Sequence, residues 1–213
     1  MPTWKTKGVK QELMYTAKRA LDLAASLMGL LVLSPLLLIL AAVIKLDSPG
    51  PVFFRQERVG QHEKPFRIYK FRTMVTGAER MGAGYQVEEG DSRITRAGSF
   101  LRKTSLDELP QLINVFRGEM SLVGPRPTLS YQVENYTPRQ RRRLLVKPGI
   151  TGWAQIRGRN ALTWPQRIEL DLWYVEHWSF WLDLYIILQT PLALLRTESI
   201  YRADGTDEIS RPK

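Results

Sequence analysis

Cysteine is absent from the 213 residues. Disulfides, thiol nucleophiles and thiolate metal ligands are therefore excluded, and a reducing cytoplasmic environment is compatible. Histidine is nearly absent: His62 and His177 stand alone, with no metal-ligand spacing, and read as structural or surface residues. The chain also has no dinucleotide-type glycine fingerprint, no phosphate-loop motif, no internal repeat and no low-complexity tract. A small-residue cleavage site is missing after the long apolar run, which argues against a signal peptide. Acidic residues are in deficit, 21 against 31 basic ones, for a formal charge of +10. That excess calls for an anionic partner, whether a phosphorylated substrate, nucleic acid or lipid headgroups.

What the chain does have is a hydrophobic segment between Arg19 and Lys45, in which Asp22 is the only charge. At about 1.5 Å per residue it is long enough for the ~30 Å hydrocarbon core of a bilayer. Ser34-Pro35 interrupts it near the middle, where proline removes a backbone donor and a kink or break is expected. The serine hydroxyl is placed to satisfy a freed backbone group. Lys5, Lys7, Lys10, Lys18 and Arg19 precede the segment, and Lys45, Arg55, Arg58, Lys64 and Arg67 follow it. A spanning helix should carry such an excess on one side only. Two readings follow: a broken, re-entrant helix-hairpin with both flanks on one side, or a spanning helix with a tolerated proline.

Before the segment, Leu13, Met14, Ala17, Leu21 and Trp4 suit an amphipathic helix on the membrane surface. After it, the turn cluster Asp47 to Pro51 ends the helix, and Val52–Phe54 and Phe66–Phe71 read as short strands. The glycine-bearing stretch Gly77 to Gly90 is expected to be a mobile loop. Helices are expected over Arg96–Lys103 and Leu106–Phe116, a short strand in GEMSLVGPRP (118–127), and another strand over Ile150–Ile156. Four of the six tryptophans fall between Trp164 and Trp181, followed by the apolar run Leu182–Leu195 with Asp183, Gln189 and Pro191 inside it. That run is too short to span; it suits a surface-lying helix pair, with ordinary core as the competing reading.

The sharpest constellation is LRKTSLDELPQL, residues 101–112. Asp107 and Glu108 are adjacent and diverge by about 100° on a helix, so they are not a facing acid/base pair. Ser105 with Glu108 matches a capping box, and Pro110 places Asp107 near a helix N-terminus, favourable to carboxylate and phosphate alike. A cap with no further role is the plain alternative. Against it stand arginines in rigid settings: Arg102, Arg126 between two prolines, and Arg157 and Arg159 around Gly158. Guanidinium groups bind phosphate bidentately. Carboxylates among them make sense where a divalent cation bridges an acid and a diphosphate. A nucleic-acid groove gains nothing from an acidic pair at its centre.

These motifs resemble the bacterial sugar transferase family, the catalytic domain of monotopic polyprenyl-phosphate phosphoglycosyl transferases. The likeness is carried by KRALDLAAS, SPGPVFFRQERVG, YKFRTM, ITRAGSFLRKTSLDELPQLINVFRGEMSLVGPRP and VKPGITGWAQIRGRN, covering about residues 15–200. It resembles the small form. The resemblance implies a re-entrant helix broken at Ser34-Pro35, with both chain ends and the site on the cytoplasmic face of the bacterial inner membrane. It implies transfer of a sugar phosphate from a UDP-sugar to polyprenyl phosphate, with magnesium as cofactor and nucleoside monophosphate as co-product. By position, Asp107 is the implied nucleophile and metal ligand, with Glu108 supporting it. Arg102, Arg126, Arg159 and Lys70, with Arg157 less directly, are the implied phosphate holders. One departure is Thr76-Gly77-Ala78-Glu79, where many relatives carry an aspartate before the Ala-Glu pair.

The expected architecture is α/β, mainly α. Residues 1–46 are expected to form an amphipathic entry helix and the re-entrant membrane helix broken at Ser34-Pro35, 47–202 a compact catalytic domain with a small sheet and interfacial amphipathic helices, and 203–213 a polar tail. Expected partners are the UDP-sugar, polyprenyl phosphate and membrane lipids, with no nucleic acid; oligomeric state is not readable. Competing functions are a membrane-tethered nucleic-acid binder, a non-catalytic scaffold, and the same transfer by direct displacement with Asp107 as metal ligand only.

Overall fold

The structure, a computed structural model, describes residues 9–81, 90–158 and 161–195. Trp4, most of the Gly77–Gly90 loop, Arg159 and the 203–213 tail lie outside the described residues.

Two helices, α1 (Val9–Val32) and α2 (Ser34–Asp47), meet at a 61° bend. The bend has a local cause. Pro35 has no N–H to offer Leu31, and the Ser34 hydroxyl donates to the Leu31 carbonyl instead, at 2.7 Å. Among the described residues no single helix is long and apolar enough to cross a membrane; the bent pair together meets that test by length and composition. The surface-helix region does not form a separate element: Leu13, Met14, Ala17 and Leu21 all lie on α1, which runs unbroken into the apolar segment. On the outer face Met28, Leu31, Val32, Leu38 and Leu46 are exposed, whereas Asp22, Ser26, Leu40 and Ile44 are buried on the inner one.

Both ends of the apolar segment dock on one folded unit. Near the start, Arg19 donates to the Val115 and Phe116 carbonyls. One turn later, Asp22 accepts from Leu122 N at 2.9 Å and from the Ser121 hydroxyl. At the far end, the buried Arg72 donates to the Ile44 and Ser48 carbonyls, and Asp47 accepts from Ala97 N.

Strands β1 (Phe53–Val59) and β2 (Pro65–Phe71) form an antiparallel hairpin with Phe54 opposite Lys70 and Glu57 opposite Arg67. The first is longer than Val52–Phe54 because its alternating polar residues pair across the ladder with β2. Helix α3 (Arg96–Thr104) begins at Thr95, whose hydroxyl accepts from Gly98 N. The helix expected over Leu106–Phe116 is divided. Ser105 adopts a left-handed conformation (φ 58°) as the C-cap of α3, a 3-10 turn covers Leu106–Glu108, and α4 (Gln111–Arg117) starts after Pro110. The capping box does not form, since a left-handed Ser105 cannot cap the following turn and Glu108 is engaged elsewhere.

Strand β3 (Ser121–Val123) pairs in parallel with β4 (Gly149–Thr151). The strand expected to reach Ile156 stops at Thr151. At Gly152, where a Cβ would lie 2.2 Å from the Gly124 carbonyl oxygen, the chain turns into α7 (Trp153–Arg157). Between β3 and β4 run the short α5 (Ser130–Glu134) and α6 (Pro138–Arg141). Helices α8 (Trp164–His177) and α9 (Phe180–Leu195) close the fold. Their aromatics divide between the two readings: Trp164 and Tyr174 are core, whereas Trp181 and Tyr185 are exposed beside Leu188, Leu192 and Leu195. Asp183, buried in α9, holds Lys18 of α1, the Tyr174 hydroxyl and the Trp178 indole.

Candidate active site

The acidic pair sits where α3, β2 and the loop after β3 converge. The left-handed turn at Ser105 reverses the chain straight into the 3-10 turn, which presents Asp107 and Glu108 about 120° apart. Asn114 fixes that turn's following helix against β2: its carboxamide accepts from Tyr69 N and donates to the Arg67 carbonyl, as a neighbouring strand would. This brings Lys70, the next residue on β2, over the turn. Its ammonium donates to Glu108 Oε1 at 2.8 Å. Arg126, braced between Pro125 and Pro127, donates to the same oxygen at 2.6 Å.

Electrostatically the two acids differ. Desolvation works to raise the pKa of Glu108, but Arg126 and Lys70 outweigh it and hold the carboxyl well below its usual range. For Asp107 desolvation prevails and pushes the pKa up, aided by the Glu108 charge and opposed by Lys70, Arg102 and Arg126. Among the described residues Asp107 takes part in no hydrogen bond or ion pair. A desolvated carboxylate with no cation of its own, beside a neighbour that holds two, is available for a metal ion or for attack on phosphorus.

Arg102 approaches from α3, its Nε donating to the Thr73 hydroxyl at 2.9 Å. Gly98 makes this approach possible: a Cβ there would lie 2.0 Å from the Thr73 carbonyl oxygen. Arg157 is exposed at the end of α7 and stacks its guanidinium 4.2 Å over the Trp153 ring, apart from the dyad's ion pairs. Arg159 is outside the described residues. Lys70, Arg102, Asp107, Glu108 and Arg126 are therefore gathered into one site.

Several supporting residues escaped the sequence reading. Arg72 closes the end of α2, and Arg143 is buried against Asp171 and the Tyr136 hydroxyl while donating to the Arg126 carbonyl. Asp22 did carry a signal, since a lone carboxylate in an apolar run needs a partner. Asp183 carried the same one.

A family model described as bacterial sugar transferase matches residues 13–197. The chain belongs to that family. Among its members, the uncharacterized sugar transferase EpsL of Bacillus subtilis is 49% identical over 187 residues, which cover 88% of this chain and 91% of that protein. The undecaprenyl-phosphate glucose phosphotransferase of Komagataeibacter xylinus is 48% identical over 190 residues, 81% of this chain and 35% of that protein. The UDP-glucose:undecaprenyl-phosphate glucose-1-phosphate transferase of Caulobacter vibrioides is 45% identical over 192 residues, 86% of this chain and 72% of that protein. Thus the chain spans most of some bacterial sugar transferases and about a third of others.

A divalent cation fits the donor set. Magnesium is typically held by one or two carboxylates together with substrate phosphates and water. Among the described residues no cluster of three or more acidic or histidine side chains exists, and none is needed for that mode. Among the described residues Asp107 is a carboxylate of the site that forms no ion pair and could serve in that mode.

Proposed function

We propose that this protein is a polyprenyl-phosphate sugar-1-phosphate transferase. It moves a sugar phosphate from a UDP-sugar to a polyprenyl phosphate such as undecaprenyl phosphate, releasing UMP and leaving a polyprenyl-diphosphate-sugar. The observation that carries this reading is the unequal dyad, with Glu108 held by Lys70 and Arg126 while Asp107 forms no ion pair among the described residues. The activities for which two of the relatives are named agree with it.

In the first step a carboxylate oxygen of Asp107 attacks the β-phosphorus, forming an acyl phosphate. The bond from that phosphorus to the bridging oxygen breaks, and UMP leaves with the electron pair. In the second step a phosphate oxygen of the lipid attacks the same phosphorus and frees the Asp107 carboxylate. Lys70, Arg126 and Arg102 hold the phosphoryl oxygens as charge gathers on them. Magnesium, when bound at Asp107, adds neutralising charge there. Glu108 keeps Lys70 and Arg126 aimed between turnovers.

The acceptor is a membrane lipid, so the site belongs at headgroup depth on the cytoplasmic face of the inner membrane. Both ends of the apolar segment dock on the unit that bears the dyad, which favours a re-entrant hairpin over a span.

UMP release from a panel of UDP-sugars by detergent-solubilised protein, with and without magnesium and polyprenyl phosphate, tests this. Release that depends on both, with at least one sugar, is expected. No release with any donor from folded protein would contradict it and favour a scaffold. Release that requires the acceptor even in a single turnover would favour direct displacement with Asp107 as metal ligand only.

A further inference from the structure

The β1–β2 hairpin has a face that the dyad alone does not account for. Directly opposed residues of an antiparallel pair share a face, with Cβ atoms about 5 Å apart. Phe54, Gln56 and Arg58 of β1 therefore stand beside Lys70, Ile68 and Phe66 of β2. Phe66 and Ile68 pack on Val115 and Met120, and Lys70 reaches Glu108. The β1 residues continue that surface along the side away from α4, next to the Arg126 loop.

Two of them have unused capacity. Phe54 is 36% exposed and, among the described residues, has no aromatic partner. Its neighbour Phe53, on the opposite face, stacks on Phe71 and meets Tyr69 edge-on. Gln56 has its amide nitrogen buried with no hydrogen-bond partner. Its carbonyl oxygen accepts from Arg58 Nη2 at 2.6 Å, and Arg58 Nη1 reaches toward the Pro127 carbonyl oxygen at 3.4 Å. The carboxamide is thus oriented with its donor end unpaired, close to the residues that hold Glu108.

We infer that Phe54 and Gln56 form the base-binding platform of the nucleotide donor, with a uracil-type ring stacked on Phe54 and a ring carbonyl accepting from Gln56 Nε2. The inference rests on the proposed transfer and goes further by naming where the nucleoside lies. A flat apolar ring beside one oriented donor suits a planar base with a carbonyl on its edge; adenine has no such carbonyl. A hexose would ask for several donors and acceptors, which this strip does not offer. Lys70 is the cross-strand neighbour of Phe54, so a diphosphate at Lys70 and Arg126 leaves roughly the reach of a ribose to the platform.

The test is titration of UMP into the detergent-solubilised full chain, for wild type, Phe54→Leu and Phe54→Trp, with inorganic pyrophosphate as competitor. Base-on-aromatic stacking predicts that Phe54→Leu weakens UMP by about tenfold or more. Phe54→Trp should stay within about threefold of wild type, and pyrophosphate should compete equally in all three. Phe54 is exposed, so both variants should melt as wild type does. UMP affinity unchanged in Phe54→Leu overturns the platform, and so does a change in sugar preference without a change in UMP affinity. If wild type transfers sugar phosphate from UDP-sugars while Phe54→Leu keeps its UMP affinity, the platform alone falls. If wild type binds UMP through Phe54 yet transfers nothing, the proposed function falls and the platform stands.

Discussion

Asp107 and Glu108 are consecutive, yet two cations hydrogen-bond to Glu108 and, among the described residues, none does to Asp107. The folded pKa of Asp107 is raised, so the stability linked to it is full below the unfolded value near 3.8 and is lost as pH rises through the folded one. For Glu108 the sign reverses. Its contribution is present above about 4.5 and is lost as pH falls through the depressed folded value.

Asp107→Asn should accordingly raise the melting temperature at pH 7 while abolishing transfer, and the gain should fade as pH is lowered. Glu108→Gln should lower it at pH 7 by leaving Lys70 and Arg126 facing a neutral amide. Differential scanning fluorimetry of both variants across pH 4 to 8 reads this out. Shifts of the same sign at pH 7 would contradict the assigned electrostatics.

How much of this was legible beforehand varies by residue. Asp107, Glu108 and Arg126 were visible because rigid neighbours and an acidic pair among arginines are sequence features, whereas Lys70 was marked only by the likeness of its YKFRTM motif to the family. The Ser34-Pro35 break was visible for the same kind of reason, as proline acts locally. The left-handed Ser105 was not, because it is imposed by how α3 must meet the turn, and the sequence matched a capping box instead. Arg143 and Arg72 were equally hidden: each looks like one more basic residue until tertiary contacts bury it. The end of β4 at Thr151 depends on the close approach of Gly124 and Gly152, which no local pattern announces.

Buried and exposed ion pairs should respond very differently. Arg143 and Asp171 are each only 2% exposed. Arg143→Met leaves Asp171 without its cation and should destabilise by about 3–5 kcal/mol. It should also lower transfer, since Arg143 braces the Arg126 carbonyl. Arg139 pairs with Glu169 in the open, and Arg139→Ala should leave the melting temperature within about a degree of wild type. Thermal melting of the two proteins side by side decides the point.

Gly98 is a packing requirement for the site. Gly98→Ala places a methyl group against the Thr73 backbone, where nothing flexible can give way. A loss of about 1–3 kcal/mol is expected from overpacking. The displacement of α3 should also move Arg102 and raise the KM for the donor. Ala at Gly98 with unchanged melting and kinetics would contradict the crossing described.

The absence of cysteine makes topology directly measurable. Single cysteines at Lys5 and Lys64 should both resist an impermeant maleimide applied from the periplasmic side, and both should react once the cytoplasmic side is opened. Reaction of only one from either side would make the pair a span.

The proposed two-step transfer requires Asp107 to carry the sugar phosphate between two substrates. Intact mass spectrometry after incubation with a UDP-sugar and magnesium, without lipid acceptor, tests it most directly. An added mass of one sugar phosphate is expected, localised to Asp107, absent from Asp107→Asn and discharged by polyprenyl phosphate. An unmodified protein that nonetheless transfers sugar phosphate once the acceptor is supplied would contradict it.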